Sequence, residues 1–127
     1  MLAGVREHLP EYPLSVLADL GEDLTTSAVI EAARSGDALA LALMDEMGYW
    51  LCSVMICLTG ILSPSLYVIG GGLGQAAAGF ILPAARRALG ERAPIDIYSH
   101  LEIVEAQLTS GAVGAACQAW YGLRDAP

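Results

Sequence analysis

Apolar positions recur at helical spacing longest in the middle of the chain. Leu39, Leu43, Met47, Trp50, Val54, Leu58 and Ile61 follow one another at intervals of three and four, while Leu41, Leu51, Met55 and Leu62 cover other sides of the same cylinder. The pattern predicts a helix from Ala38 to about Leu62, apolar nearly all round and therefore packed between other layers. Gly36-Asp37 supplies a stop for the element before it and a cap for this one, and Thr25-Thr26 caps a preceding helix that carries Val29, Ile30 and Ala33 on one side. Residues 1–24 read as a connector with a partial helix, because Pro10 and Pro13 interrupt it and Leu14, Leu17 and Leu20 form one short stripe.

After Ser63-Pro64-Ser65 the pattern changes. Leu66 to Ile69 is short, apolar and uninterrupted, as expected of a strand covered on both faces. Three glycines follow, then helical segments from Gln75 to Leu82 and from Pro83 to Leu89, with Pro83 opening a new turn or kinking the helix and Gly90 ending it. Ile95 to Ala106 reads as a strand region, with Leu101, Ile103 and Val104 facing inward. Gly111 opens a last helix in which Val113, Ala116, Cys117, Trp120 and Tyr121 share one side. This order gives an α/β fold with few strands and long helices. So small a sheet is marginal alone, which makes the chain part of something larger.

Composition narrows the partners. The 127 residues suffice for one domain with a core that needs no disulfide. A net charge of −8, with no lysine, argues against direct binding to nucleic acid or to an anionic membrane surface. No charge occurs between Met47 and Ala85, yet the uninterrupted helical piece from Gly48 to Leu62 is shorter than the ~20 residues a bilayer requires, so a buried helix and strand are expected and no membrane span. Cys52 and Cys57 lie in apolar sequence and the three cysteines form no C-x-x-C pair, which suits a reduced, cytoplasmic setting. Charges and a proline in MLAGVREHLPEYP leave no export signal to read.

Candidate chemistry concentrates in Leu66 to Phe80, LYVIGGGLGQAAAGF. Residues without Cβ let backbone N–H groups approach a ligand, and a strand feeding a glycine turn and a helix N-terminus makes a possible anion site. Gly72-Leu-Gly74-Gln-Ala-Ala77 satisfies G-x-G-x-x-A, with Glu91 or Asp96 roughly where a ribose-binding acid would lie. A dinucleotide fold would place that fingerprint after its first strand, however, and here a long helical region comes first. The plain alternative is a turn needed only for tight packing. Elsewhere, Asp19-Leu-Gly21-Glu-Asp23 lacks the threonine and leading strand of a phosphate loop, His8 and His100 lack ligand partners at metal spacing, and Ser63 and Ser65 have no nucleophile elbow around them. Arg86, Arg87 and Arg92 read as the charged outer face of a helix, and Asp45 and Glu46 point in different directions. No catalytic residue and no metal ligand is assigned.

Taken in order, TTSAVIEAARSGD (Thr25 to Asp37), SPSLYVIGGGL (Ser63 to Leu73) and IVEAQLTSGAVGAA (Ile103 to Ala116) resemble the C-terminal part of the ROK family of sugar kinases and sugar-responsive repressors. The resemblance runs from about Leu24 to Trp120 and implies the C-terminal, nucleotide-side lobe of an actin-like, ribonuclease-H-like ATPase fold over residues 25–127. It assigns Gly70, Gly71, Gly72 and Leu73 to contact with ATP or ADP, carried with magnesium, and matches Gly111, Ala112 and Gly114 to the turn that opens the last helix. Cys52 stands where the family commonly has glycine.

The departures limit what the chain can do. It contains no D-x-G-x-T phosphate loop, no recognisable catalytic aspartate and no C-x-C-G-x-x-G-C zinc motif. Phosphoryl transfer needs a positioned phosphate, its metal and a base for the hydroxyl proton. The resemblance therefore implies a lobe of a hexose or amino-sugar kinase that binds nucleotide and sugar only with a missing N-terminal half and does not catalyse alone. The alternatives are the sensing and dimerisation part of a ROK-type repressor, or an assembly module without ligand. A homo-oligomer is expected from the small sheet and the apolar long helix.

Overall fold

The computed structural model describes residues 1–93, 99–107 and 111–124. Its spine is the long central helix, α3 (Ala38–Leu62). The Asp37 carboxylate caps it, accepting the Ala40 N–H at 2.9 Å, and the helix ends where Ser63 turns left-handed at φ 47° immediately before Pro64. Before it come α1 (Leu2–His8), turns of 3₁₀ helix, and α2 (Thr26–Arg34), capped by the Thr25 hydroxyl as expected. From the first segment Val5 and Leu17 are buried against Val29, Ile30, Leu39 and Leu43 in one core cluster.

Beyond α3 the chain makes a parallel β-α-β unit: β1 (Leu66–Ile69), α4 (Gly72–Arg92) and β2 (Glu102–Glu105), with Tyr67 opposite Ile103. A last helix, α5 (Gly111–Arg124), follows. The second core cluster lies between the C-terminal half of α3, α4 and one face of the sheet, and includes Cys52, Met55, Leu82, Ala85, Leu89 and Ile103. Tyr67 ties β1 to α3: its hydroxyl donates to the Met55 carbonyl at 3.0 Å and lies 3.1 Å from the Thr59 hydroxyl, which itself donates to the same carbonyl at 2.7 Å within the helix. Small residues bring α3 and α4 together: a Cβ on Gly48 would stand 2.4 Å from the Ala84 Cβ.

Four expectations change. Residues 72–92 form one helix, with Pro83 inside it. Pro83 and Gly79, whose carbonyl loses its helical donor, are both exposed, so water can serve that carbonyl. The strand region shortens to Glu102–Glu105; residues 99–101 and 106 are turn or irregular, and residues 95–98, Asp96 among them, lie outside the described residues. β1 is covered on one face only, because Leu66 and Val68 are exposed. Likewise α3 buries one side, while Trp50, Val54, Leu58 and Ile61 remain open, and in α5 so do Val113, Trp120 and Tyr121. These faces have the composition of buried surfaces without a covering layer.

At 25 residues α3 is also longer than the uninterrupted apolar piece and, by length and composition alone, apolar enough to cross a membrane. Its packed side is nevertheless the common wall of both core clusters.

Candidate functional site

The parallel strands end side by side, β1 at Ile69 and β2 at Glu105, and in α/β sheets ligands bind outside such carboxyl ends. The glycine turn lies there. Gly71 has φ 87° and ψ 163°, a conformation that residues with a Cβ rarely adopt, and it is also the N-cap of α4. It contributes no side-chain cap, and the Gln75 N–H donates to its carbonyl at 2.9 Å as the first bond of the helix. The amides before Gln75 therefore have no partner within the helix, and they point outward from its positive end.

The glycines play separate parts. A Cβ on Gly70 would meet that of Ala106 at 3.0 Å, and one on Gly74 would touch Ile69 Cγ2 at 3.4 Å, so both serve close packing against the strand ends. Gly71 supplies the left-handed turn. Gly72 has open space within 4 Å of where its Cβ would be. Nothing among the described residues requires a glycine there, and its backbone is the part of the turn a ligand could approach.

Gln75 fixes this turn to β2 by donating its side-chain amide to the Ala106 carbonyl at 3.0 Å. Beside that bond lies an open hollow of about 520 Å³ lined by Gln75, Glu105, Ala106 and Gln107. Leu73 is partly exposed in the first turn of α4. The arrangement offers two amide side chains, one carboxylate and a helix N-terminus. Glu105 makes the hollow unfavourable for phosphate and suitable for hydroxyl donors.

The arginines lie elsewhere and are engaged. Arg86 donates to the Ile103 carbonyl at 2.5 Å rather than simply facing water, Arg87 pairs with Asp45 at 2.9 Å, and Arg92 donates to Ser53 Oγ at 2.7 Å while its guanidinium lies 4.2 Å over the Tyr49 ring. His8 does have a carboxylate neighbour, Glu11, at 3.8 Å. Among the described residues no three His, Cys, Asp or Glu side chains converge to hold a metal ion.

Two further groups are structural. A second hollow of about 460 Å³ lies between residues 11–16 and 35–38, but its Asp37 already accepts hydrogen bonds from Ser15 Oγ, the Val16 N–H and the Ala40 N–H. Burial raises the Asp37 pKa, and those hydrogen bonds outweigh it and hold the carboxyl below its ordinary value. Burial pushes the Cys52 thiol up, against a smaller opposing effect of Arg92, which keeps it a small hydrophobe.

Gly70, Gly71, Gly72 and Leu73 are thus brought together at the strand ends. Gln75, Glu105 and Gln107 were not singled out in the sequence. Gln75 carries a signal in hindsight, standing in the first turn after a glycine N-cap, whereas Glu105 and Gln107 become neighbours only through the pairing of β1 with β2.

The chain is 36% identical to a glucokinase of Halalkalibacterium halodurans over 80 residues, which are 63% of this chain and 24% of that protein. A solved chain from Cytophaga hutchinsonii, assigned as a sugar kinase, superimposes with a TM-score of 0.80 at 25% identity, covering 93% of this chain and 40% of the other. The fold is accordingly α/β, a part of the actin-like ATPase architecture of that neighbour, and this chain spans well under half the length of either relative. The ROK family model matches residues 14–120, and the chain belongs to the ROK family.

Proposed function

We propose that these residues form the C-terminal, nucleotide-side lobe of a ROK-type sugar kinase, and that the backbone from Gly70 to Leu73 contacts the adenosine end of ATP or ADP. The observation that carries this reading is the Gly71 turn: a left-handed glycine at the carboxyl end of a parallel strand, opening a helix beside a hollow with amide and carboxylate walls. Gly72 leaves room for a ligand against the main chain, Leu73 offers an apolar side chain to a base, and Glu105 and the two glutamines suit ribose or base polar groups. A bound nucleotide would supply the phosphoryl group and carry the magnesium.

Among the described residues the turn offers no group suited to accept a sugar hydroxyl proton, since Glu105 is exposed and no second carboxylate or histidine accompanies it in the hollow. Binding of the sugar and transfer to it are assigned to the portion of the fold outside this chain. Calorimetric titration of the purified chain with ADP and magnesium, with a panel of hexoses in parallel, tests the reading. Saturable ADP binding without sugar-dependent ATP consumption is expected. Gly72→Val, which has space for its side chain in the protein, should keep its melting temperature and lose at least ~10-fold in ADP affinity. Equal affinity in variant and parent would remove the assignment.

A further inference from the structure

The acid that the fold brings to the glycine turn is not one that the G-x-G-x-x-A spacing picks out. Glu91 lies in the last turn of α4, roughly 28 Å along the helix axis from Gly72 at 1.5 Å per residue, and Asp96 is outside the described residues. Glu105 stands there instead. It ends β2 opposite Ile69, the residue before the glycines, and its neighbour Ala106 is held at both main-chain groups. The Ala106 N–H donates to the Ile69 carbonyl at 2.8 Å, and the Ala106 carbonyl accepts from the Gln75 side-chain amide at 3.0 Å.

Alternation along β2 sets the direction of the Glu105 side chain. Residues two apart share a face, so Glu105 lies on the side of Ile103, which is buried with Leu82, Ala85 and Leu89 of α4. At the carboxyl end of the strand that face meets the first turn of α4, where Glu105 and Gln75 line the same hollow. Among the described residues no donor reaches the Glu105 carboxylate, and the arginines of α4 are engaged with the Ile103 carbonyl, Asp45 and Ser53. Its acceptor capacity is therefore open.

The charges around it select what can dock. The carboxylate repels a phosphate, while the N-terminus of α4, whose first amides lack helical partners, disfavours an ammonium group. A neutral group that donates two hydrogen bonds satisfies both, and an ionised carboxylate accepts through two oxygens. The vicinal hydroxyls of a ribose are such a pair of donors.

We infer that Glu105 is the specificity-determining residue of the nucleotide site: its carboxylate accepts hydrogen bonds from the 2′- and 3′-hydroxyls of the ribose in the hollow at the end of β2. The site then takes ribonucleotides and discriminates against nucleotides that lack those hydroxyls. This rests on the nucleotide reading proposed above and adds to it the residue that reads the sugar. The phosphates of the same nucleotide keep to the Gly72 side of the turn, away from Glu105, where the main chain is open.

The test is a cycle of two proteins and two ligands, read by calorimetric titration of the purified chain with magnesium present. ADP should bind the parent at least about tenfold more tightly than 2′,3′-dideoxy-ADP, as expected for hydrogen bonds to a charged acceptor. Glu105→Ala should lose at least about tenfold in ADP affinity and bind the dideoxy analogue as the parent does, so that the discrimination disappears. Because Glu105 is exposed and unpaired among the described residues, the variant should keep the parent's melting temperature. Glu102→Ala removes the same charge from the other end of β2 and should leave both affinities unchanged.

Equal binding of the two ligands by the parent would overturn the inference while leaving the nucleotide reading standing. Discrimination that survives Glu105→Ala, or tighter ADP binding by that variant, would take the role away from Glu105. Absence of ADP binding to the parent would overturn the nucleotide reading and this inference together.

Discussion

Replacing Gly48 by alanine tests the packing that holds the lobe together. Alanine favours an exposed helix interior over glycine by roughly 0.5–1 kcal/mol, so a glycine with room around it should gain stability when replaced. At Gly48 the new methyl would lie 2.4 Å from the Ala84 Cβ, 2.9 Å from the Ala85 nitrogen and 2.9 Å from the Ile81 carbonyl oxygen. Two of those atoms are main chain of α4 and cannot swing aside, so relief requires the helices to part. Overpacking of this kind costs ~1–3 kcal/mol, sometimes more, and the rigid contact points to the upper end. Set against the helical gain, the net loss should be ~2 kcal/mol. With an unfolding entropy of ~2.1 cal/mol/K per residue over this length, that lowers the melting temperature by ~7 °C. Gly60, on the same helix with nothing within 4 Å, is the internal control, and its alanine variant should be slightly stabilised. Thermal melts followed by circular dichroism would decide. If Gly48→Ala melts as high as Gly60→Ala, α3 and α4 do not approach as closely as described and the second core is misassigned.

Two other contacts can be probed in the same way. Asp37→Ala removes the cap of α3 and strands the Ser15 hydroxyl and Val16 N–H, so a loss of ~2 kcal/mol is expected in denaturant titration, and parent-like stability would refute the role. Because the folded state holds the Asp37 carboxyl below its ordinary value of 3.8, its contribution is fully present above that value and is lost as pH falls through the lowered one; Asp37→Asn should flatten that segment of a stability-against-pH curve, and an unchanged slope would count against it. Arg86→Met keeps the apolar stem but leaves the Ile103 carbonyl without its charged donor, so it should cost ~1 kcal/mol by chemical denaturation, whereas a neutral result would make the contact incidental.

Local rules made much of this fold legible. Thr25, Gly36 and Asp37 announce the starts and stops of α2 and α3 because a cap is chemistry between neighbours in sequence, and the structure contains those bonds. The three glycines after an apolar run identified the turn for the same reason. Three other features depend on what packs where. Pro83 reads as the start of a new turn or as a kink, but its exposure together with that of Gly79 lets α4 continue through it. β1 reads as covered on both faces because its sequence is apolar on both, whereas coverage depends on what packs there, and Leu66 and Val68 are exposed. Glu105 and Gln107 join the candidate site only through strand pairing between segments more than thirty residues apart, which periodicity cannot reveal.

The contacts around the glycine turn suggest how binding and chemistry are divided. Gly70 packs on Ala106, Gly74 on Ile69, and Gln75 bonds the Ala106 carbonyl, so every described constraint on the turn comes from β1, α4 and the end of β2. Such a site is shaped before any second body arrives, and its ordering cost is met by folding rather than by binding. The same residues offer neither a converging metal-binding set nor an arginine directed at the turn, and phosphoryl transfer depends on holding a phosphate and its metal in line with the attacking hydroxyl. On the proposed reading, the lobe holds the adenosine end of a nucleotide and leaves the chemistry of transfer to the remaining portion of the fold. Supplying that portion would then raise turnover with little change in ADP affinity, and a large gain in ADP affinity on assembly would mean that the turn is completed from outside this chain.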